Sequence, residues 1–587
     1  MQIIGTQIKK KIAGKAILPY IMLTVIAALL CIRCFYSFCW SDESFYVSLV
    51  HRFWLGDRPV IDEWSGTQFY AFALLPLYAL YMKIVGYNDG IFLFFRLIMV
   101  IGNYFLTIYI YRSLKRNSCA ILSLIGSLIY LLYTRANILG PSYYSWSLLF
   151  FTWAVFLFFN CDKDKPNGIR MFAIGGIMAM AVLALPYLAA AYILAIMLGL
   201  SLKSFRQYRK GLLINLAGAG LCAVIYLGFL MAKTGFKELL EYMPYLFGDA
   251  EHQSLNPVFS VVLWFGRIVN RYKYTIVICF ISIILVLIKK LRHKTLDQQS
   301  IKRIMVINLI LSGINVLVSY NVVGCVNIAI AVFAFISYIV IAYQDKVSRK
   351  LFCGIYLPGI IFSMVFHMAS NTGVDAMTVG FVLCGIVSPV LVLKGVSNIR
   401  WNSVNASRWI WCGVIIVGAA ALLQSGWLRF FSVYRDDKLS KLTEVIEQGP
   451  AKYLYTTKEH KEQYENIVNT IKNTYEDDTG GTVVFTELVP WAYLCVNSSC
   501  GAPSPCRFWG GLDEIRLKEY YKLMPDKFPE YILAVAPEYG RCRSVLIQGN
   551  GVIEKPNERG TSQWLLNEAE KRGYDKIETV SGIVYKK

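Results

Sequence analysis

The sequence predicts a polytopic α-helical membrane protein with a smaller α/β domain at its C-terminal end. Of 587 residues, 56% are hydrophobic and 17% are charged. Apolar stretches recur along the chain with basic residues between them, and about 20 apolar residues cross a bilayer core as a helix. Residues 1–427 carry 37 Lys and Arg against 15 Asp and Glu, whereas residues 428–587 carry 22 against 23. The basic excess therefore belongs to the apolar part.

We divide the chain into a membrane part, residues 1–427, and a C-terminal domain, residues 428–587. The first apolar stretch is long and lacks a small-residue cleavage site, so we expect an uncleaved first span. The membrane part holds thirteen segments that we predict as transmembrane helices: 17–38, 91–111, 119–134, 143–160, 170–185, 187–203, 211–231, 273–289, 303–320, 323–343, 351–369, 376–394 and 408–427.

The basic loops predict the orientation. With the four lysines of residues 9–15 in the cytoplasm, every second short loop is rich in Lys and Arg, and the opposite short loops carry almost none beyond Arg135. This is the bias that cytoplasmic loops show. The positive charge thus reports topology, and nucleic acid is not an expected partner. An odd number of spans would place the C-terminal domain outside the cytoplasm of a multi-pass protein in the cell's plasma membrane.

Two long outer loops are predicted, at 39–90 and 232–272. The apolar segment 68–86 within the first loop is predicted as a juxtamembrane or re-entrant helix interrupted at Pro76. A further crossing there would place the basic loop at 112–116 outside the cytoplasm, against the charge bias.

Alternating helix and strand signals predict the α/β character of the C-terminal domain. Four of the fifteen cysteines lie there, Cys495, Cys500, Cys506 and Cys542. They would allow one disulfide in an oxidising compartment without fixing its pairing. The predicted helices are Lys458–Lys472, Asp513–Met524 and Ser562–Arg572, and the predicted strands are Thr482–Thr486, Tyr531–Val535 and Ser544–Ile547.

An acidic pair, Asp42-Glu43, follows the first predicted span directly. Carboxylates beside hydrocarbon are costly, so their presence points to a functional site, and both are candidate catalytic residues. No metal-ligand spacing is evident, and participation of a divalent cation stays open. Candidate substrate-binding residues follow in the same loop, together with one basic residue of a later outer turn: Tyr46, His51, Arg52, Arg58, Asp62, Glu63, Trp64 and Arg135.

This combination of residues suits glycosyl transfer at the outer membrane face. An acceptor hydroxyl needs a carboxylate as general base. A lipid-linked phosphate leaving group is already charged and needs cationic or metal stabilisation. The first outer loop offers both kinds of group, with Trp64 and Tyr46 placed to stack on sugar faces or to anchor the membrane interface.

The segment Ser41-Asp-Glu-Ser-Phe-Tyr46 resembles the acidic-pair motif of GT-C class glycosyltransferases that use polyprenyl-phosphate sugars, the group similar to protein O-mannosyltransferases and lipid A aminoarabinose transferase. The layout agrees, with Phe94-Phe-Arg-Leu97 entering the next span and Gly140-Pro141 in an outer turn. The resemblance implies Asp42 as catalytic base, with Glu43 positioning groups or a cation. It also implies a polyprenyl-phosphate sugar donor and a glycan, lipid or protein acceptor at the bilayer surface.

Two positions depart from that pattern. Ser142 follows Pro141 where the family often has Asp, which weakens a metal assignment. The stretch Trp64–Gln68 lacks the basic residue that often grips phosphate. Phosphate binding would then fall to Arg52, Arg58, Arg135 or residues of the second long loop.

Two other classes of function compete with a transferase. A lipid-linked oligosaccharide ligase or polymerase would rely on outer-loop Arg and His more than on an acidic pair. A lipid-linked sugar transporter or flippase would show internal repeats and charged residues in mid-span, and neither is evident in the sequence.

Overall fold

The computed structural model describes most of the chain. It leaves out residues 1, 163–166, 248–256, 293–297, 321–324, 338–345, 371–372, 398–403, 476–480, 488, 506–511, 537–544, 548–551 and 555–562.

The membrane part is helical, as predicted, and a helix lies at each of the thirteen predicted segments. Five described helices are long and apolar enough to cross a membrane, and seven shorter apolar helices accompany them. The protein is therefore an integral membrane protein, while the number of spans stays a prediction. The helices are α1 (Gln2–Arg33), α2 (Asp42–Leu55), α3 (Tyr70–Val85), α4 (Ile91–Lys115), α5 (Ala120–Leu132), α6 (Tyr143–Phe159), α7 (Gly168–Ala184), α8 (Leu188–Ser201), α9 (Arg209–Lys233), α10 (Phe236–Tyr242), α11 (Pro257–Leu291), α12 (Gln298–Ser319), α13 (Cys325–Ser337), α14 (Lys346–Leu351), α15 (Leu357–Ala369), α16 (Val374–Ser397) and α17 (Val404–Phe431).

The two predicted outer loops contain helices of their own. The first holds α2 and α3, and α3 runs through Pro76 without interruption. The predicted break was therefore wrong, because a proline removes one helical hydrogen bond and the turns on either side can continue the helix. The second loop holds α10 and the start of α11, up to a kink at Tyr272, where the predicted span begins.

Helix α2 fixes the position of the acidic pair. Asp42 and Glu43 occupy its first turn, where carboxylates favour helix formation. Gly56 ends it in the left-handed conformation (φ 110°) and donates its backbone N–H to the carbonyl of Arg52. The helix is largely buried, and the Ser48 hydroxyl donates to the carbonyl of Pro490 at 2.6 Å. Helix α2 therefore lies between the other helices of the membrane part and the C-terminal domain.

The C-terminal domain is a mixed α/β unit, as predicted. Its five-stranded sheet has the order β4-β3-β5-β9-β8, with β3 parallel to β4 and β5, and β9 antiparallel to β5 and β8. The three predicted helices and three predicted strands are present within two residues at each end. The elements are β1 (Glu444–Val445), β2 (Tyr455–Thr456), α18 (Lys458–Thr474), β3 (Thr482–Phe485), β4 (Ser499–Cys500), α19 (Leu512–Leu523), β5 (Tyr531–Val535), β6 (Val545–Ile547), β7 (Val552–Glu554), α20 (Gln563–Lys571), β8 (Asp575–Thr579) and β9 (Gly582–Lys586).

The two parts of the chain are packed together. The backbone of Tyr455 donates to the carbonyl of Phe35 at 2.7 Å and accepts from the N–H of Ser37 at 2.9 Å. The ring of Trp40 meets those of Tyr464 and Trp491 edge to face. The end of α1 and the start of α2 are thereby held directly against the C-terminal domain.

The cysteines of the C-terminal domain are partly described. Cys495 and Cys500 are free thiols, so neither forms the disulfide that the sequence would allow. Cys506 and Cys542 lie outside the described residues.

Candidate active site

Asp42 is the half-exposed member of the acidic pair, with 34% of its side chain accessible. Its Oδ2 accepts hydrogen bonds from the Tyr434 hydroxyl at 2.9 Å and from the Ser41 hydroxyl at 3.1 Å. Arg435 Nε forms an ion pair with the same oxygen at 3.0 Å. No described residue hydrogen-bonds Oδ1, which leaves that oxygen for a molecule outside the chain.

Glu43, the other predicted catalytic residue, is buried in an ion pair with Arg96 of α4. Arg96 Nε donates to Glu43 Oε1 at 2.7 Å, and Nη2 donates to Oε2. Arg96 also donates to the carbonyl oxygens of Cys34 and Ser37, at 2.8 and 3.0 Å. This arrangement ties the end of α1, the start of α2 and α4 to one another, so Glu43 positions helices.

The acids and bases of the first loop pair with one another. Buried Arg52 donates to Asp57 Oδ2 at 2.7 Å and forms an ion pair with Glu63. Arg58 contacts Asp62 at 3.2 Å. Four of the predicted substrate-binding residues, Arg52, Arg58, Asp62 and Glu63, thus have partners within the loop.

The pKa values of Glu63 and Asp62 are shifted in opposite directions. Burial raises the pKa of Glu63 above its ordinary value, and Arg52 only partly offsets that effect. Burial also acts on Asp62, but Lys527 and Arg58 outweigh it and lower its pKa. Lys527 Nζ lies 3.6 Å from Asp62 and 3.1 Å from Asp57, and so links the loop to the C-terminal domain.

The aromatic and histidine candidates are also packed. The ring nitrogens of His51 lie 2.6 Å from the Tyr78 hydroxyl and 2.9 Å from the carbonyl oxygen of Val496. Trp64 stacks on Tyr245 with ring centroids 4.3 Å apart. Through these contacts both side chains join the first loop to other parts of the chain.

Tyr46 and Arg135 lie on the membrane side of the site. Tyr46 is buried edge to face against Tyr70 and next to Tyr143. The Arg135 guanidinium lies over the ring of Tyr144, 3.6 Å from its centroid. Its side chain makes no hydrogen bond to any residue that the structure describes. Arg135 is therefore the predicted basic residue that stays available for a ligand.

A short linker after α17, residues 432–437, supplies the partners of Asp42. Next to Tyr434 and Arg435, the buried Asp436 accepts from the backbone N–H of Phe38 at 2.7 Å and pairs with His460 Nδ1 at 2.7 Å. Burial opposes the charged form of His460, but Asp436 outweighs it and raises the pKa of His460. Asp436 thus anchors the linker, and the two residues before it, Tyr434 and Arg435, contact Asp42.

Metal ligands are not grouped at this site. Within the described ranges, no three His, Cys, Asp or Glu side chains come together as a metal site requires. Each described carboxylate of the first loop faces a cation instead. Participation of a divalent cation is therefore not assigned to any residue here.

Sequence reasoning missed the residues that complete the site. Arg96 sits near the start of an apolar span, where a charged side chain calls for a partner, and this signal points to Glu43. Tyr434, Arg435 and Asp436 form a polar run directly after the last span. Arg429, in the last turn of α17, lies close to Arg135 in the fold but almost 300 positions away in sequence.

Comparisons with known proteins give distant structural matches. The archaeal oligosaccharyltransferase AglB from Archaeoglobus fulgidus, solved with an inhibitory peptide and dolichol-phosphate, matches with 12% identity and a TM-score of 0.43, over 88% of this chain and 69% of that chain. The same organism's oligosaccharyltransferase tethered to an acceptor peptide, and its apo form, cover the same shares with 10% and 11% identity and TM-scores of 0.43 and 0.40. No protein-family model matches the sequence, and no curated protein matches it.

Proposed function

We propose that the protein is a membrane glycosyltransferase of GT-C type. It moves a sugar from a polyprenyl-phosphate donor to an acceptor outside the cytoplasm, which is a cell-surface glycan, lipid or protein. The observation that carries the proposal is the state of Asp42. Among the carboxylates of the first outer loop that the sequence singled out, it alone is half exposed and keeps one oxygen without a hydrogen-bond partner among the described residues.

In the proposed reaction Asp42 acts as general base. The acceptor oxygen forms a bond to C1 of the sugar while the bond between C1 and the phosphate oxygen breaks. The acceptor proton passes to Oδ1, and polyprenyl phosphate leaves with the electron pair. Ser41, Tyr434 and Arg435 hold Oδ2 and thereby orient Oδ1. Arg135 is the predicted basic residue left to balance the phosphate charge, because Arg52 and Arg58 already pair with carboxylates.

A ligase or polymerase that relies on outer-loop His51 and Arg52 is less well supported. Both side chains are buried, at 1% accessibility, and both are engaged with neighbouring groups. The outward direction of the site and of the C-terminal domain is part of our proposal and rests on the charge bias of the loops.

The proposal is tested with membranes that contain the wild type, Asp42→Asn or, as a matched control, Asp526→Asn at an exposed position of the C-terminal domain. Each is incubated with labelled polyprenyl-phosphate sugars and a cell-envelope extract as acceptor source, and release of polyprenyl phosphate is measured. We expect Asp42→Asn to lose roughly 10²–10⁴-fold in rate, the contribution of a general base. Full activity in Asp42→Asn would remove Asp42 as the base. No turnover of any donor by the wild type would remove the transferase assignment.

A further inference from the structure

A pocket among the helices of the membrane part contains two cationic side chains, the buried Arg429 and the partly exposed Arg135. It lies between α4, α5, α6, α16 and α17. The cavity itself is about 50 Å³, and the surrounding non-atom space of roughly 620 Å³ includes open solvent. Of its lining side chains only Arg135 and Arg429 are charged, and both are positive. The rest of the wall mixes apolar residues, among them Met99, Leu148 and Val379, with hydroxyl and amide side chains.

Neither guanidinium has an acidic partner among the described residues. Arg429 is 7% exposed, and its Nη1 makes only long hydrogen bonds, to Thr134 at 3.4 Å and to Asn137 at 3.3 Å. The Nε atoms of Arg135 and Arg429 are both buried without a hydrogen-bond partner. Asp375 is near enough to Arg135 to interact with its charge but forms no ion pair with it.

Other buried arginines of this region differ from these two. Arg96 has Glu43, and Arg33 donates to the carbonyl oxygens of Phe430 and Ser432, both at 2.9 Å. Since buried charge is costly unless it is paired, two unpaired guanidiniums in one pocket call for an anion from outside the chain.

The start of α6 adds a third positive element. Ser142 and Ser145 line the pocket and form a capping box at the N-terminus of this 17-residue helix. The positive end of the helix dipole therefore faces the same space as the two arginines. Arginine suits a phosphate group in particular, because its planar guanidinium donates two parallel hydrogen bonds.

We propose that Arg135 and Arg429 bind the phosphate group of a polyprenyl lipid, whose chain lies along the apolar residues of this pocket. The assignment rests on the proposed function, because it names the subsite for the donor phosphate and for the polyprenyl phosphate that leaves. The apolar part of the lining favours a lipid phosphate over a free phosphate ion, which would gain nothing from Met99, Leu148 or Val379.

The test measures binding directly and needs no turnover. Purified full-length protein in detergent is titrated with polyprenyl phosphate, with the unphosphorylated polyprenol and with inorganic phosphate, and bound lipid is counted by native mass spectrometry. We expect saturable binding of polyprenyl phosphate, no saturable binding of polyprenol, and competition by inorganic phosphate only at much higher concentration. If polyprenol binds as tightly as polyprenyl phosphate, the pocket does not recognise the phosphate group, and the proposal is overturned. Inorganic phosphate binding as tightly as the lipid would overturn the lipid assignment.

Variants locate the site. Arg135→Gln and Arg429→Gln should each weaken binding of polyprenyl phosphate at least about 10-fold, the scale of a lost charged hydrogen bond. Arg429→Lys, which keeps the charge, should weaken binding of polyprenyl phosphate less than Arg429→Gln does. If Arg429→Gln does not elute as a folded monodisperse species, the affinity of Arg429→Lys tests the proposal instead. Arg116→Gln, exposed at the far end of α4, is the matched control. Wild-type affinity in folded Arg135→Gln and Arg429→Gln would overturn the proposal.

The two proposals fail separately. If Asp42→Asn keeps its activity while the arginine variants lose lipid binding, the phosphate pocket stands without the assigned base. If Asp42→Asn is inactive and the arginine variants bind normally, the transferase stands and the phosphate lies elsewhere.

Discussion

The two neighbouring carboxylates Asp42 and Glu43 have different surroundings. Glu43 is 2% exposed and held by Arg96, whereas Asp42 reaches solvent and keeps one oxygen available. Their position next to the first span predicts a functional site, and that stays a prediction. Their division of labour was not predictable, because Arg96 and Arg435 lie 53 and 393 positions away from their partners and no local pattern reports such contacts.

Removal of the Glu43 carboxylate should destabilise the protein. In Glu43→Gln the Arg96 guanidinium would stay buried without its counter-charge, which costs about 3–5 kcal/mol. We expect a markedly lower unfolding temperature in detergent. Glu568→Gln, which removes a partly exposed ion pair with Arg572 on α20, is the control and should change stability by no more than about 0.5 kcal/mol. Equal stability of the two variants would contradict the structural role of Glu43.

Gly140 is adapted to the same ion pair. A Cβ atom at this position would lie 2.5 Å from Glu43 Oε1. Gly140→Ala should therefore displace the carboxylate from Arg96 and lower the unfolding temperature, by an amount typical of overpacking, about 1–3 kcal/mol. Gly228→Ala, where a Cβ atom meets nothing within 4 Å, serves as the control in the same thermal measurement. A Gly140→Ala variant as stable as wild type would show that the Glu43 side chain can move at little cost.

At the scale of elements, composition predicted the long apolar helices but did not predict helix α2. Helix α2 buries Ser44, Ser48, His51 and Arg52 along with its apolar residues. It therefore has no continuous apolar face by which sequence could reveal it. The sequence did not predict strand β8 for a different reason. Its first four residues are exposed and show no alternation of apolar and polar side chains. The linker after α17 has no regular structure and gains its order from contacts at both ends.

The linker anchor should give stability a dependence on pH. The pKa of His460 is raised above its ordinary value of 6.5, so the pair with Asp436 contributes fully below that value and is lost as pH rises through the raised pKa. Glu459 and Asp437 act in the same direction. We expect the unfolding temperature to fall as the pH rises above 6.5 and through the raised pKa of His460. His460→Asn should remove this component, and identical pH slopes for wild type and variant would contradict the ion pair.

At the scale of the whole molecule, the C-terminal domain packs against the two predicted outer loops of the membrane part. Trp64 lies between Tyr245 of the second outer loop and Tyr520 of α19, and Lys527 reaches the acids of the first loop. Separate predictions of a membrane part and a domain did not anticipate this contact. Interdomain contacts depend on the folded surfaces of both parts, which a linear pattern does not contain.

The membrane part alone should not form a stable protein. In a chain that ends at Phe431, helix α2 and the loop acids would lose the groups that cover them, including Pro490 and Lys527. We expect this fragment to elute as an aggregate in size-exclusion chromatography with fluorescence detection. Co-expression of residues 432–587 should restore part of a monodisperse peak. A monodisperse fragment 1–431 with the stability of the full chain would contradict this expectation.

The partners of Asp42 have a consequence for synthesis of the protein. Tyr434 and Arg435 leave the ribosome only after every helix of the membrane part, almost 400 residues later than Asp42 itself. A nascent chain inserted in the membrane would thus carry the carboxylate without the groups that orient it. If Asp42 is the base, the enzyme stays silent until translation is nearly finished, and incomplete chains do not consume lipid-linked sugar.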